Sequence, residues 1–244
     1  MNNLKQNYAY YIIITIGICL RIYYYLQNRS LWIDECFFAF SIFDNDLLNN
    51  LQLQRYNQLS PFGFIFIEKL IVSLFGQSEY ALRSFPLICG ITSILLFYKL
   101  LKRFYSGIAL IIPLSLFSFS SQLIYYSSEA KQYSSDVLTT IILILLGLKL
   151  RDTNISSKLK NFILISSPFY IFFSLTSIFT LSAITICFLI QYFFLKKRTL
   201  VKENIIFSAG WISSLIFYFI YNYDTQVRNA TLRKFWQYGF VSEK

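Results

Sequence analysis

The sequence predicts an all-α integral membrane protein with about seven transmembrane helices, and its composition supports this fold class in three ways. The chain of 244 residues is 56% hydrophobic and 20% aromatic. Only 14% of its residues are charged, whereas a soluble domain usually carries about 25%. Just 4 prolines and 8 glycines interrupt long runs of Ile, Leu, Phe and Tyr. The composition therefore excludes a water-soluble globular domain.

Seven apolar segments approach the roughly 20 residues that a transmembrane helix needs. The first is followed by no small-residue cleavage site, so we interpret it as a retained signal anchor. The fifth and sixth form one apolar run, which we expect to bend at Pro168 and to turn at residues 174–177. The predicted spans are about residues 8–26, 84–101, 106–126, 132–149, 161–174, 176–195 and 204–222.

The net charge of +10 comes from Lys and Arg residues that cluster between the apolar segments. The positive-inside rule assigns such clusters to the cytoplasm, so we expect a multi-pass protein of the inner or plasma membrane with a cytoplasmic N-terminus. A nucleic-acid partner would need a broad exposed basic surface, which this distribution excludes. The clusters are Lys99, Lys102 and Arg103; Lys149, Arg151, Lys158 and Lys160; and Lys196, Lys197, Arg198 and Lys202.

Residues 61–76 form a short apolar run with Glu68 and Lys69, which we interpret as an ion pair, at its centre. This pattern suits a helix lying in the membrane interface, although an eighth span is the competing interpretation. An eighth span would place the later basic clusters outside, so charge favours the interfacial helix. We therefore expect interfacial helices in a long external loop, residues 27–83, within a membrane module of residues 1–222. Residues 223–244 are expected to begin a second large external loop, truncated here.

The adjacent carboxylates Asp34 and Glu35 follow the first predicted span directly. Carboxylates are costly near hydrocarbon and usually mark chemistry or ion handling there. Asp34 is also a good residue type for capping the N-terminus of a short helix. The spacing alone leaves both interpretations open, and a capping residue can also be catalytic.

Two further groups of polar residues fall on the predicted external face. Glu129 and Lys131 lie between tyrosines, which suits a polar site with an aromatic rim but equally an interfacial tyrosine belt. Arg83 either pairs with Glu79 along one helix or binds a phosphate through its planar guanidinium. Arg21 lies inside the first predicted span, where it must snorkel or face the protein interior.

Histidine is absent from the chain, which excludes imidazole acid–base chemistry, and the 4 cysteines are scattered. Their positions indicate neither a disulfide framework nor a metal site.

Several motifs occur together in an order that resembles the GT-C superfamily of membrane glycosyltransferases. Within this superfamily, the chain most resembles the protein O-mannosyltransferases, the aminoarabinose transferases and related bacterial enzymes of unknown acceptor. The resemblance covers the whole chain. The motifs are Trp32-x-Asp34-Glu35 followed by Ala39; Ser60-Pro61; Phe75-Gly76-x-Ser78-Glu79-x-Ala81-x-Arg83; Tyr126-Ser-Ser-Glu129-Ala-Lys131-x-Tyr133; and Phe235-Trp236-x-x-Gly239-Phe240.

The resemblance implies transfer of a sugar, with inversion, from a polyprenyl-phosphate donor to an acceptor hydroxyl at the external or periplasmic membrane face. It aligns Asp34 with the catalytic aspartate, expected to be the general base, and adds Glu35 and Glu129 as catalytic-site carboxylates that orient the sugar or acceptor hydroxyls or bind a divalent ion. Arg83 and Lys131 are the expected phosphate-binding cations. A divalent metal ion is left open as a cofactor, with Asp34 and Glu129 as its ligands. The aromatic residues expected in the donor site are Trp32, Tyr126, Tyr133 and Trp236.

Two alternatives stay open at this point. A lipid-linked glycan flippase, a polymerase or another multi-pass transporter is favoured by Arg21, Glu129 and Lys131 near the membrane. Against transport, the spans have few central charges and the halves of the chain show no repeat. The second alternative is that the chain is an inactive fragment of the enzyme, since members of the family usually continue with further spans.

Overall fold

A computed structural model describes residues 2–43, 60–152, 155–194 and 201–223, together with Lys234. Within these ranges all regular secondary structure is helical, which confirms the all-α fold class. The helices are α1 Asn2–Leu26, α2 Ile33–Phe43, α3 Phe62–Phe75, α4 Glu79–Leu101, α5 Ile108–Ser118, α6 Ser121–Tyr126, α7 Tyr133–Leu150, α8 Ser157–Ser166, α9 Tyr170–Phe173, α10 Ser177–Phe193 and α11 Val201–Tyr221, with a 3₁₀ turn at Ser167–Phe169.

Four of these helices are long and apolar enough to cross a membrane: α1 from Asn7, α4, α7, and α11 from Lys202. They coincide with the first, second, fourth and seventh predicted spans. Helices α5 and α10 are also apolar but have only 11 and 17 residues. The other predicted spans therefore correspond to shorter or broken helices, and the number seven stays a prediction.

The third predicted span is broken between α5 and α6. Ser120 accepts a hydrogen bond from the backbone N–H of Leu123 and so caps α6. Arg21 of α1 lies at this break, where its Nη1 donates to the carbonyls of Gly17 at 3.0 Å and Ser118 at 2.9 Å. Ser118 ends α5, and a cation is stabilised by the dipole at a helix C-terminus. Arg21 is buried, so it faces the protein interior and does not snorkel.

The apolar run from residue 161 to residue 195 divides where the sequence predicts. The 3₁₀ turn that contains Pro168 separates α8 from α9, because proline cannot donate the backbone hydrogen bond that a helix interior requires. A second turn follows at residues 174–176, and the N–H of Ser177 donates to the carbonyl of Ser174 at 3.2 Å. Helix α10 then begins at Ser177.

Helices α2 and α3 lie in the predicted first loop and pack against the start of α4. Their shared core contains Phe38 and Ile42 of α2, Phe64 and Val72 of α3, and Leu82 of α4. This packing explains why the two short apolar helices form here: each buries one face against the other and against α4. Residues 44–59 of the same loop lie outside the described ranges.

The side chains of Glu68 and Lys69 are both buried in α3. Neither carboxylate oxygen of Glu68 has a hydrogen-bond partner, so the ion pair expected between these neighbours is not formed. Adjacent residues of a helix point in different directions, whereas residues three or four apart face one another. Burial raises the pKa of Glu68 well above its usual value.

Candidate functional site

Three distant parts of the sequence meet beyond the end of α1: the start of α2, the start of α4 and the loop 127–132 that leads into α7. Asn28, two residues after the end of α1, has a left-handed conformation with φ 41°, which turns the chain toward α2. Gly90 lets α4 approach the loop, because a Cβ there would lie 2.6 Å from the Cβ of Ser127. The motifs at Trp32–Glu35, Arg83 and Glu129–Lys131 are thereby brought together.

Glu35 is the fixed carboxylate of this site. Its Oε2 lies 2.9 Å from Arg83 Nη2 and its Oε1 lies 3.2 Å from Arg83 Nε, so the two side chains form a bidentate ion pair. The backbone N–H of Ala130 also donates to Oε1 at 2.8 Å, and that of Trp32 donates to Oε2 at 3.3 Å. Glu35 therefore ties α2, α4 and the 127–132 loop together.

The same contacts resolve the capping alternative. Helix α2 begins at Ile33, so Trp32 is the capping position and Glu35 reaches back to its N–H, as the acid of a capping box does. Asp34 lies in the first turn and does not cap the helix. The predicted pair Glu79–Arg83 is also replaced, because Arg83 binds Glu35 instead.

Arg83 donates a further hydrogen bond from Nη1 to the backbone carbonyl of Arg29 at 2.6 Å. With Nε and Nη2 on Glu35, all three guanidinium nitrogens donate to protein acceptors. The side chain is only 1% exposed. In this conformation Arg83 positions other residues, while its expected phosphate contact stays a prediction.

Asp34 is the open carboxylate. It is half-buried, and its side chain makes no hydrogen bond or ion pair with another residue that the structure describes. Lys131 lies within its electrostatic reach: burial lowers the pKa of Lys131, while the charges of Asp34, Glu129 and Glu35 raise it. The two adjacent acids therefore have different environments. Glu35 accepts hydrogen bonds on both carboxylate oxygens, whereas Asp34 is partly exposed to solvent and lies near a cation.

The side chain of Glu129 is nearly completely buried in the loop, and one of its two carboxylate oxygens has a hydrogen-bond partner. Its Oε1 accepts a hydrogen bond from Trp32 Nε1 at 2.9 Å, but its Oε2 is buried without a partner. Burial is the largest cause of a raised pKa for Glu129, and the Trp32 hydrogen bond opposes it. A buried acceptor without a partner in a native site calls for an explanation such as a ligand or a water.

Arg29 belongs to the site but was missed by the sequence analysis. Its guanidinium carbon lies 3.8 Å from the centroid of the Tyr125 ring. Nη2 donates to the carbonyl of Ser128 at 3.4 Å, and Nε is buried without a partner. Its charge lowers the pKa of Glu129. The available signal was its position, since Arg29 is a lone arginine between the first predicted span and the Trp32 motif.

Three of the aromatic residues expected in the donor site, Trp32, Tyr126 and Tyr133, lie in the described part of the chain, and their contact with a donor stays a prediction. The Tyr126 and Tyr133 rings lie 4.7 Å apart between centroids, and Trp32 binds Glu129 as described. Ser60 of the Ser60-Pro61 motif also reaches the site, since its Oγ donates to Gln132 Oε1 at 3.1 Å. Trp236 lies outside the described residues, as does nearly all of the tail, so its expected place in the donor site stays a prediction.

Among the described residues of the site, Asp34 and Glu129 are the carboxylates available to a metal ion. Glu35 is committed to Arg83, and the described part of the chain holds no group of three or more Asp, Glu, Cys or His side chains placed around one ion. Two carboxylates suffice for a Mg²⁺ ion that keeps several waters and binds a substrate phosphate. A divalent metal ion therefore stays a prediction.

Comparison with known proteins gives no relative: no family model matches the chain, and neither a curated protein nor a solved structure is significantly similar to it.

Proposed function

We propose that this chain carries the catalytic site of a membrane glycosyltransferase. It would transfer a sugar from a polyprenyl-phosphate donor to an acceptor hydroxyl at the external face of the membrane, with inversion. The observation that carries the proposal is the contrast between Asp34 and Glu35. One carboxylate is locked by Arg83, and its neighbour is left open beside Lys131 and close to the buried Glu129.

Asp34 has the properties of a general base. A carboxylate within hydrogen-bond reach of the acceptor takes its proton as the oxygen attacks the anomeric carbon, which contributes roughly 10²–10⁴-fold to the rate. The bond between the anomeric carbon and the phosphate oxygen breaks in the same step, and the phosphate leaves with the electron pair. A single displacement of this kind inverts the anomeric centre.

The leaving lipid phosphate gains negative charge, which nearby cations stabilise. Lys131, which was expected to bind the phosphate together with Arg83, lies among the carboxylates of the site. Arg29 is the second candidate, because its guanidinium stacks on Tyr125 and its Nε has no protein partner. Arg83 would act on the reaction through Glu35. The free Oε2 of Glu129 is suited to accept a hydrogen bond from a sugar or acceptor hydroxyl.

A lipid-linked donor explains why such a site would lie at the end of apolar helices. The polyprenyl chain would stay in the bilayer beside the helices, while the phosphate and sugar reach the polar loop. The four apolar helices support a membrane location, and the positive-inside rule, applied to the Lys and Arg clusters, favours an external position for this end. Seven spans and an inner or plasma membrane location are part of the proposal.

The proposal is tested by supplying the purified chain, in membranes, with a panel of polyprenyl-phosphate hexoses and pentoses. With water in place of the acceptor hydroxyl, we expect one donor to be hydrolysed to free sugar and polyprenyl phosphate, detected by mass spectrometry, while the matching nucleotide sugars are unchanged. Consumption of a nucleotide sugar in place of the lipid donor would contradict the proposed donor class.

One observation favours transport as a second candidate function. Glu68 is a fully buried carboxyl without a hydrogen-bond partner in a helix beside the proposed site, and such acids serve as proton carriers in transporters. A Glu68→Gln variant that stops movement of a fluorescent lipid-linked glycan across vesicle membranes, with no sugar released by the wild type, would establish this candidate instead.

A further inference from the structure

A groove of about 420 Å³ lies between α7 and α10, at the opposite end of α7 from the candidate site. Helix α7 has 18 residues, so its two ends are about 27 Å apart. The groove walls are apolar and include Leu148, Ala183 and Phe188. It extends along α7 from Ile144 to Arg151, a distance of about 10 Å, which is less than the roughly 15 Å depth of one hydrocarbon leaflet.

Arg151 lies at one end of the groove and is the polar feature that distinguishes it. Its side chain is exposed and makes no hydrogen bond or ion pair with any residue that the structure describes. The neighbouring cations differ: Arg103 and Lys149 both bind Asp152, at 2.6 Å and 3.4 Å. Arg151 is therefore available to an anion from outside the described protein.

The outer surface of α10 next to the groove is also apolar. Phe179, which lines the groove, is 78% exposed, and Ile186, Ile190 and Phe193 are exposed on the same helix. A surface of this kind is stable against hydrocarbon, and a groove within it opens to the bilayer in the membrane placement that we propose. Its occupant needs an apolar tail and an anionic group at one end.

We propose that the groove binds an anionic phospholipid, whose phosphate contacts Arg151 and whose acyl chain lies against Leu148, Ala183 and Phe188. Arginine binds phosphate oxygens in a bidentate manner. Basic pockets between transmembrane helices on the cytoplasmic side are suited to anionic head groups, and the charge distribution puts this end of α7 in the cytoplasm. The inference depends on the membrane placement but not on sugar transfer.

The test uses the full chain in lipid vesicles that contain a photoreactive phosphatidylglycerol with the reactive group on its acyl chain. Photoreactive phosphatidylcholine serves as the neutral comparison. We expect phosphatidylglycerol to label residues of the groove, identified by peptide mass spectrometry. We expect Arg151→Gln to lower this labelling about fivefold, because one basic residue strengthens binding to an anionic lipid surface by about that factor. Ala183→Phe, which fills the groove, also lowers it.

Lys102→Gln is the matched control, because Lys102 is an exposed cation at the same end of the helices that does not line the groove. Equal labelling by the two lipids, or equal losses in Arg151→Gln and Lys102→Gln, would overturn the inference. So would an unlabelled groove in the wild type, which would mean that a second copy or another protein segment covers it. Thermal unfolding of Arg151→Gln checks that the variant is folded.

Discussion

Glu35 and Arg83 form a buried bidentate ion pair in which neither side chain is more than 1% exposed. The pair joins α2 to α4, and Ala130 adds the 127–132 loop to the same carboxylate. Two adjacent acids thereby receive different roles from their surroundings, as occurs in sites where paired carboxyl groups divide their functions. Glu35 holds the loops in place, and Asp34 stays open.

Removing one partner of this pair should destabilise the protein strongly. Glu35→Ala leaves the Arg83 guanidinium buried without its counter-ion, which costs about 3–5 kcal/mol. Thermal unfolding of the detergent-solubilised protein measures the loss. The double variant Glu35→Ala/Arg83→Met should lose much less than the sum of the single variants. Additive losses would show that the two side chains do not interact.

Arg29 should contribute to transfer and little to folding. We expect Arg29→Ala to lower kcat/KM for the lipid donor by about 10²–10³-fold, because a cation that meets the leaving phosphate is lost. Initial rates over a range of donor concentrations measure this. Lys102→Ala is the control, since Lys102 also lies over a tyrosine ring but at the other end of the helices. Similar rates in the two variants would remove Arg29 from the mechanism.

Trp32 should set the pH at which Glu129 ionises. Its indole N–H stabilises the ionised carboxylate and so lowers the pKa of Glu129 against the effect of burial. Trp32→Phe removes this donor, so the pKa of Glu129 should rise further. The acidic limb of the pH–rate profile then moves to higher pH. An unchanged limb would indicate that the ionisation of Glu129 does not limit transfer.

Glu68 should make the protein less stable as the pH rises. Burial raises its pKa in the folded protein well above 4.5, so the folded state retains a proton that the unfolded state releases. Its contribution is complete below the unfolded pKa and is lost as the pH rises through the folded pKa. Unfolding temperatures of wild type and Glu68→Gln over a pH series test this. The variant should lack this loss, and parallel curves would contradict the prediction.

The helical fold could be predicted from sequence because apolar segments of sufficient length leave few alternatives. The turn at residues 174–177 and the bend at Pro168 were predictable for the same reason, since proline and short polar residues interrupt the run. The break between α5 and α6 was not. It depends on Arg21, a residue of another helix whose hydrogen bonds compensate the free carbonyl of Ser118.

Several residues that meet at the candidate site could be singled out from the sequence, but their contacts could not. Glu79 is four positions from Arg83 and was the only partner that helix geometry offered, whereas the actual partner, Glu35, lies 48 residues away. Arg29 was overlooked because a single arginine after a span usually marks the membrane surface. Its place over Tyr125 depends on the turn at Asn28, which the sequence does not specify clearly.

Donor turnover by the wild type and by Asp34→Asn, measured in equal amounts of membrane-embedded protein, decides whether Asp34 is the general base. Release of polyprenyl phosphate is followed by mass spectrometry. We expect Asp34→Asn to lose at least about 10²-fold in rate while unfolding at the same temperature. Asp152→Asn, which breaks the exposed ion pair with Arg103 at the other end, should turn over normally. Equal release by the wild type and Asp34→Asn would contradict the assignment of Asp34 as the general base.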